Sequence, residues 1–129
     1  MKHASRLAAS ILTLLLVSAS QLDADRPVAI KVTPAVALAP AFLSIRITIE
    51  SSAENRGLEV ITESRDFFSS SQIQLDGEHA PRISVVNLEH MPAGTYEVTG
   101  ILIGPRGTRA TASQRVMVSP AVGQERRPR

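Results

Sequence analysis

The chain has 129 residues, of which 43% are hydrophobic and 20% charged, and it contains no cysteine. Its length suits one domain, and the missing thiols exclude disulfides, thiolate metal sites and cysteine nucleophiles. The formal net charge is +2, but residues 28–118 hold eight basic and nine acidic residues. The body of the chain therefore lacks the basic face that nucleic-acid binding requires, and we predict no nucleic-acid partner.

Residues 1–20 have the three-part layout of a secretory signal peptide. Lys2 and Arg6 give a positive start, residues 7–17 are apolar, and small residues at 18–20 offer cleavage after Ala19 or Ser20. The apolar stretch is too short to cross a hydrocarbon core of about 30 Å. We therefore expect export to the periplasm or the extracellular space, with no stable membrane span in the mature form.

Alternating apolar and polar residues predict β-strands through the rest of the chain. The clearest alternation is at residues 42–50, where Leu43, Ile45, Ile47 and Ile49 share one face. Seven strands are predicted in all, over residues 28–33, 42–50, 58–65, 72–75, 82–88, 96–103 and 108–118. Short strands with frequent turn signals and no helical period predict an antiparallel β-sandwich over residues 28–118. Residues 21–27 and 119–129 are expected to be a flexible leader and a flexible basic tail.

The phase of the alternation predicts which side chains form the core. The inward-facing residues are expected to be Leu43, Ile45, Ile47, Ile49, Leu58, Val60, Ile73, Leu75, Val98, Leu102 and Val116.

Residues 88–98, Leu-Glu-His-Met-Pro-Ala-Gly-Thr-Tyr-Glu-Val, resemble the E–F corner of immunoglobulin-like and fibronectin type III-like sandwiches. The resemblance implies an immunoglobulin-like antiparallel β-sandwich of about seven strands. It also implies that Tyr96 is a structural corner whose hydroxyl bonds the upstream backbone, and that Pro92 and Gly94 shape the turn. The buried tryptophan and paired cysteines of antibody domains are absent, which favours a bacterial immunoglobulin-like module.

No pattern of chemistry-bearing residues predicts a reaction. Asp76, Glu78 and His79 could hold a metal ion, but Asp-Gly is also a common hairpin turn, and the spacing of a calcium loop is missing. A Gly-x-Ser-x-Gly nucleophile motif and a phosphate-binding glycine loop are both absent. We therefore predict that the protein is not an enzyme and has no cofactor or metal.

An excess of apolar residues on two strands predicts a protein interface. If residues 58, 60, 98 and 102 point into the core, then Ile61, Ile101 and Ile103 point outward, and Met117 of the last strand extends the patch. Two alternatives to an interface stay open. A bulge would reverse the phase, and a loop carrying Phe67 or Phe68 would cover the patch.

The leading functional hypothesis is an exported binding or assembly module. It would act through protein–protein contacts in the cell envelope, with another envelope or extracellular protein as partner. The alternative is a domain that binds carbohydrate or a surface polymer. Such domains stack sugars on exposed aromatic rings, for which only the Phe67–Phe68 pair remains. The oligomeric state is not indicated.

Overall fold

The computed structural model describes residues 26–121, which form eight β-strands in two sheets. The strands are β1 (Val28–Thr33), β2 (Val36–Leu38), β3 (Ala41–Ile49), β4 (Gly57–Glu63), β5 (Phe68–Gln74), β6 (Ile83–Met91), β7 (Gly94–Gly104) and β8 (Gly107–Ser119). One short 3-10 helix, Gly77–His79, joins β5 to β6. The predicted signal peptide, and most of the predicted leader and tail, lie outside the described residues.

The two sheets have the strand orders β1-β3-β6 and β2-β8-β7-β4-β5. All pairings are antiparallel except that of β2 with β8, which is parallel. This arrangement confirms the predicted β-sandwich, with eight strands rather than about seven and one parallel pairing. Within residues 26–121 no helix is long and apolar enough to cross a membrane.

The core lies between the sheets and is built from the inward face of each strand. Leu43, Ile45, Ile47 and Ile49 of β3 are all at most 3% exposed, as the alternation predicts. All the predicted core residues face inward, and only Ile73 is half-buried rather than buried, because β5 is an edge strand; it still packs against the core. The core also contains buried residues that the alternation does not predict as inward-facing: Val28, Val32, Ala41, Met91, Tyr96, Ala112 and Val118.

Two strands differ most from the sequence prediction. The three-residue β2 is not predicted, because Pro34 and Pro40 flank it and proline interrupts a strand pattern. Strand β5 begins at Phe68 rather than at residue 72, since three serines precede its apolar part and serine is a weak strand signal. Both differences fall on edge strands, where fewer side chains enter the core.

Replacing Ile47 with Ala is expected to lower the free energy of unfolding by about 2–5 kcal/mol, because the side chain is fully buried between the sheets. Denaturant unfolding followed by circular dichroism measures this change. The matched control is Thr48→Ala, whose side chain faces solvent on the same strand and should change stability by less than about 0.5 kcal/mol. Equal effects of the two variants would mean that the burial phase of β3 is wrong.

Candidate functional site

The predicted interface residues all lie on the outer face of the five-stranded sheet. Strands β4 and β7 are neighbours, and the inward residues that alternate with Ile61, Ile101 and Ile103 are buried. The three isoleucines are half-buried rather than fully exposed.

Polar residues separate these isoleucines across the sheet. Ile101 pairs with Glu59 on one side and Thr111 on the other, while Ile61 pairs with Thr99. Ile61 and Ile101 are therefore only diagonal neighbours. The isoleucine surface is interrupted by polar side chains, and its role as an interface stays a prediction.

Met117 lies apart from the isoleucines and belongs to a different apolar cluster. It is six residues along β8 from the partner of Ile101, a distance of about 20 Å in an extended strand. Met117 instead pairs with Val36 of β2, and Leu38 lies on the same face two residues further on. Val36, Leu38 and Met117, which we call the β2 patch, are 67%, 58% and 49% exposed.

Sequence reasoning missed Val36 and Leu38 because it did not predict their strand. The sequence offers only a weak signal, two large apolar residues on either side of Ala37 between two prolines; in the structure Ala37 faces inward and is half-buried.

The charged side chains of this outer face are mostly acidic. Glu59, Glu63 and Glu97 lie on β4 and β7, and Arg115 lies opposite Glu97 on β8. The Ser70 hydroxyl donates to the Glu59 carboxylate at 3.0 Å. The acidic residues surround the isoleucines, whereas the β2 patch lies beyond Arg115 at the edge of the sheet.

Tyr96 occupies the corner at which β6 passes into β7. Its ring is 1% exposed and packs edge-to-face against Phe67, with the ring centroids 5.6 Å apart. Its hydroxyl donates to the Pro92 carbonyl at 2.5 Å, which is the geometry that the resemblance implies. Burial raises the pKa of the Tyr96 hydroxyl above its ordinary value, while a hydrogen bond from Ser64 acts in the opposite direction.

The turn before Tyr96 does not depend on Gly94 for space. A Cβ atom on Gly94 would lie 3.6 Å from the Tyr96 ring, which is an ordinary contact. The residue with left-handed backbone in this corner is His90, with φ of 57°. His90 lies within β6 where its register with β3 shifts, and Pro92 follows at the turn, with its carbonyl accepting the tyrosine bond.

A buried asparagine organises the opposite end of the sandwich. Asn55 is fully buried, and its side-chain amide donates to the Glu50 carbonyl at 2.9 Å while its side-chain oxygen accepts from Arg109. Its backbone carbonyl accepts from the Gly77 amide at 3.0 Å. Asn55 thus joins the β3–β4 turn to β8 and to the 3-10 helix, although the sequence marks it only as a turn residue.

The residues weighed for metal binding lie on an open cleft beside Asn55. Asp76, Glu78 and His79 line it together with Arg56, and its volume is about 510 Å³. Among residues 26–121 no group of three or more acidic, histidine or cysteine side chains converges in a way that could hold a metal ion.

Comparisons with known proteins show the fold. No protein-family model and no curated protein matches the chain. Among solved structures, a variant of superoxide reductase (neelaredoxin) from Ignicoccus hospitalis matches with a TM-score of 0.53 and 12% identity, covering 78% of this chain and 86% of that one. Another structure of the same reductase matches with a TM-score of 0.51 and 12% identity, covering 72% and 80%. The CARDB domain of a Pyrococcus furiosus protein, in complex with two metal ions, has a TM-score of 0.49 and 14% identity, covering 75% and 94%.

The prediction that the protein is not an enzyme is contradicted by this likeness, because both Ignicoccus structures are of an enzyme. The inference failed because it equated a missing catalytic motif with a missing activity, whereas one fold serves many functions. At 12% identity the likeness shows the fold alone and assigns no reaction to this chain.

Replacing Tyr96 with Phe is expected to lower the free energy of unfolding by about 1–2 kcal/mol. The change removes the bond to the Pro92 carbonyl and leaves the ring contact with Phe67 in place. Thermal unfolding measures the effect. Thr95→Val alters an exposed neighbour and should leave stability nearly unchanged; an equally small effect of both changes would mean that the hydroxyl adds nothing to stability.

Replacing Asn55 with Ala is expected to cost more, about 2–4 kcal/mol, because two side-chain hydrogen bonds are lost at a fully buried position. Denaturant unfolding provides the measurement, and the exposed neighbour Glu54→Ala is the control. If Asn55→Ala proved as stable as the control, the turn would hold its shape without the asparagine bonds.

Proposed function

We propose that this domain binds another protein through the β2 patch, and that it does so after export to the cell envelope. The observation that carries the proposal is the exposure of Val36, Leu38 and Met117, three large apolar side chains on one face at the edge of the five-stranded sheet. Clustered exposed apolar residues commonly mark partner surfaces. Export rests on the signal-peptide layout of residues 1–20.

The edge position of the patch suits a protein partner. Strand β2 has three residues and pairs with β8 on one side only, so a partner can approach the patch from the face and from the edge. The carbohydrate alternative finds less support in the aromatic residues. The Phe67 ring is engaged with Tyr96, which leaves Phe68, 66% exposed on β5, and Phe42, 52% exposed on β3 of the other sheet, as two separate rings rather than an adjacent pair.

Site-specific photo-crosslinking in the producing cells tests the proposal. A photoreactive side chain at Leu38 should give a discrete adduct with one other protein, identified by mass spectrometry. The same side chain at Gln72, exposed on the outer face at the other edge of the sheet, should not give that adduct. Identical adducts from both positions would contradict a specific site.

Two double variants then distinguish the β2 patch from the isoleucine surface. Val36→Thr with Met117→Thr should reduce the Leu38 adduct at least about fivefold, since removing exposed apolar contacts weakens binding. Ile61→Thr with Ile101→Thr should leave it unchanged. The reverse pattern would move the interface to the isoleucines. Loss of glycan binding on Phe68→Ala, with no protein adduct at all, would replace the proposal with the carbohydrate alternative.

A further inference from the structure

Strand β6 exposes the edge of the three-stranded sheet, since within residues 26–121 it pairs with β3 alone. The Ile49 amide donates to the Arg82 carbonyl at 2.8 Å, which sets the phase of this ladder. Hydrogen-bonded residues alternate along an antiparallel pair of strands. Ser84, Val86 and Leu88 therefore direct their backbone N–H and C=O groups toward β3. The N–H and C=O groups of Ile83, Val85 and Asn87 therefore point away from the sheet and can pair with a further strand.

The side chains of β6 leave apolar surface uncovered on both faces of this strand. On the outer face, Ile83 and Val85 are 48% and 52% exposed. On the inner face, Val86 and Leu88 pack against the core but are only half-buried. A strand laid along β6 would cover all four side chains.

Edge strands β1 and β2 are protected in ways that β6 is not, whereas β5 differs from β6 in presenting mainly polar side chains. On β1, the Gln114 side chain accepts from the Val32 amide at 2.9 Å and donates to the Val32 carbonyl at 3.3 Å, so it occupies groups that face away from β3. Strand β2 is short and flanked by Pro34 and Pro40, and β5 presents mainly serine and glutamine. Short edges, proline and charge are the usual protection against strand addition, and residues 83–88 contain neither proline nor charge.

We propose that β6 pairs antiparallel with β6 of a second copy of this chain, which joins two three-stranded sheets into one six-stranded sheet across a two-fold axis. The charges of the strand favour a copy of itself over an arbitrary strand. Arg82 lies just before β6 and Glu89 near its end, and both are exposed. With Val85 on the two-fold axis, antiparallel pairing places each Arg82 across from Leu88 of the second copy, one residue from its Glu89, and the symmetry repeats this approach at the other end of the strand.

This interface is separate from the β2 patch, because β6 and β2 are edge strands of different sheets. Its failure would leave the proposed protein-binding function unaffected, and the converse also holds.

The test is sedimentation velocity over a range of concentrations, on protein expressed from the full-length sequence. We expect a reversible monomer–dimer equilibrium. Val85→Lys, which puts a charge at the centre of the proposed interface, should raise the dimer dissociation constant at least about tenfold. Thr111→Lys, an equivalent exposed position on β8, should not change it. Asn87→Pro should also weaken the dimer, since it removes a donor that points away from β3.

Charge reversal distinguishes self-pairing from other modes of dimerisation. Arg82→Glu alone and Glu89→Arg alone should each weaken the dimer about threefold or more, and the double variant should restore it, because it exchanges the two charges. Circular dichroism confirms that each variant is folded. A protein that stays monomeric up to its highest soluble concentration would overturn the proposal, as would a dimer that tolerates both Val85→Lys and Asn87→Pro.

Discussion

The four aliphatic side chains on the inner face of β3 are the contact on which the rest of the molecule depends. The chain has no cysteine, so no covalent bridge ties the two sheets, and burial of Leu43, Ile45, Ile47 and Ile49 supplies much of what holds them together. Because β3 is the central strand of its sheet, its phase decides which residues of β1 and β6 face inward. The phase of β3 therefore also determines which side chains of this sheet are exposed to a partner.

Strand alternation makes the fold predictable, and its absence explains what the sequence does not reveal. The seven strands with aliphatic alternation are all predicted. On a half-buried strand successive side chains point to opposite faces, so the alternation of apolar and polar residues shows which side chains are buried. Strand β2 is not, since its three residues are too few to show a period. Asn55 is predicted only as a turn residue, because its burial depends on Arg109, which lies 54 positions later in the chain.

The sequence predicts which face of the sheet carries the candidate interface residues, but not whether these residues contact one another. Alternation correctly places Ile61, Ile101, Ile103 and Met117 on an outer face. Whether they touch depends on the register between strands, which is set by turn geometry and by the bulge near Leu102 and Ile103. The register instead brings Met117 beside Val36, a residue for which the sequence predicts no strand. The likeness to superoxide reductases shows the fold and assigns no reaction, so the proposed function rests on the exposed apolar surface.

The bonds from Gln114 to β1 restrict what can stand at position 114. The side chain uses one acceptor, Oε1, and one donor, Nε2, both bonded to the same carbon, to satisfy both backbone groups of Val32. A carboxamide offers that pair side by side at neutral pH, whereas glutamate has acceptors alone and lysine has donors alone. Asparagine has the same groups on a shorter side chain. In related chains that keep this arrangement, position 114 should therefore be restricted to a carboxamide residue, because its side chain makes the hydrogen bonds to β1 that a further strand would otherwise make.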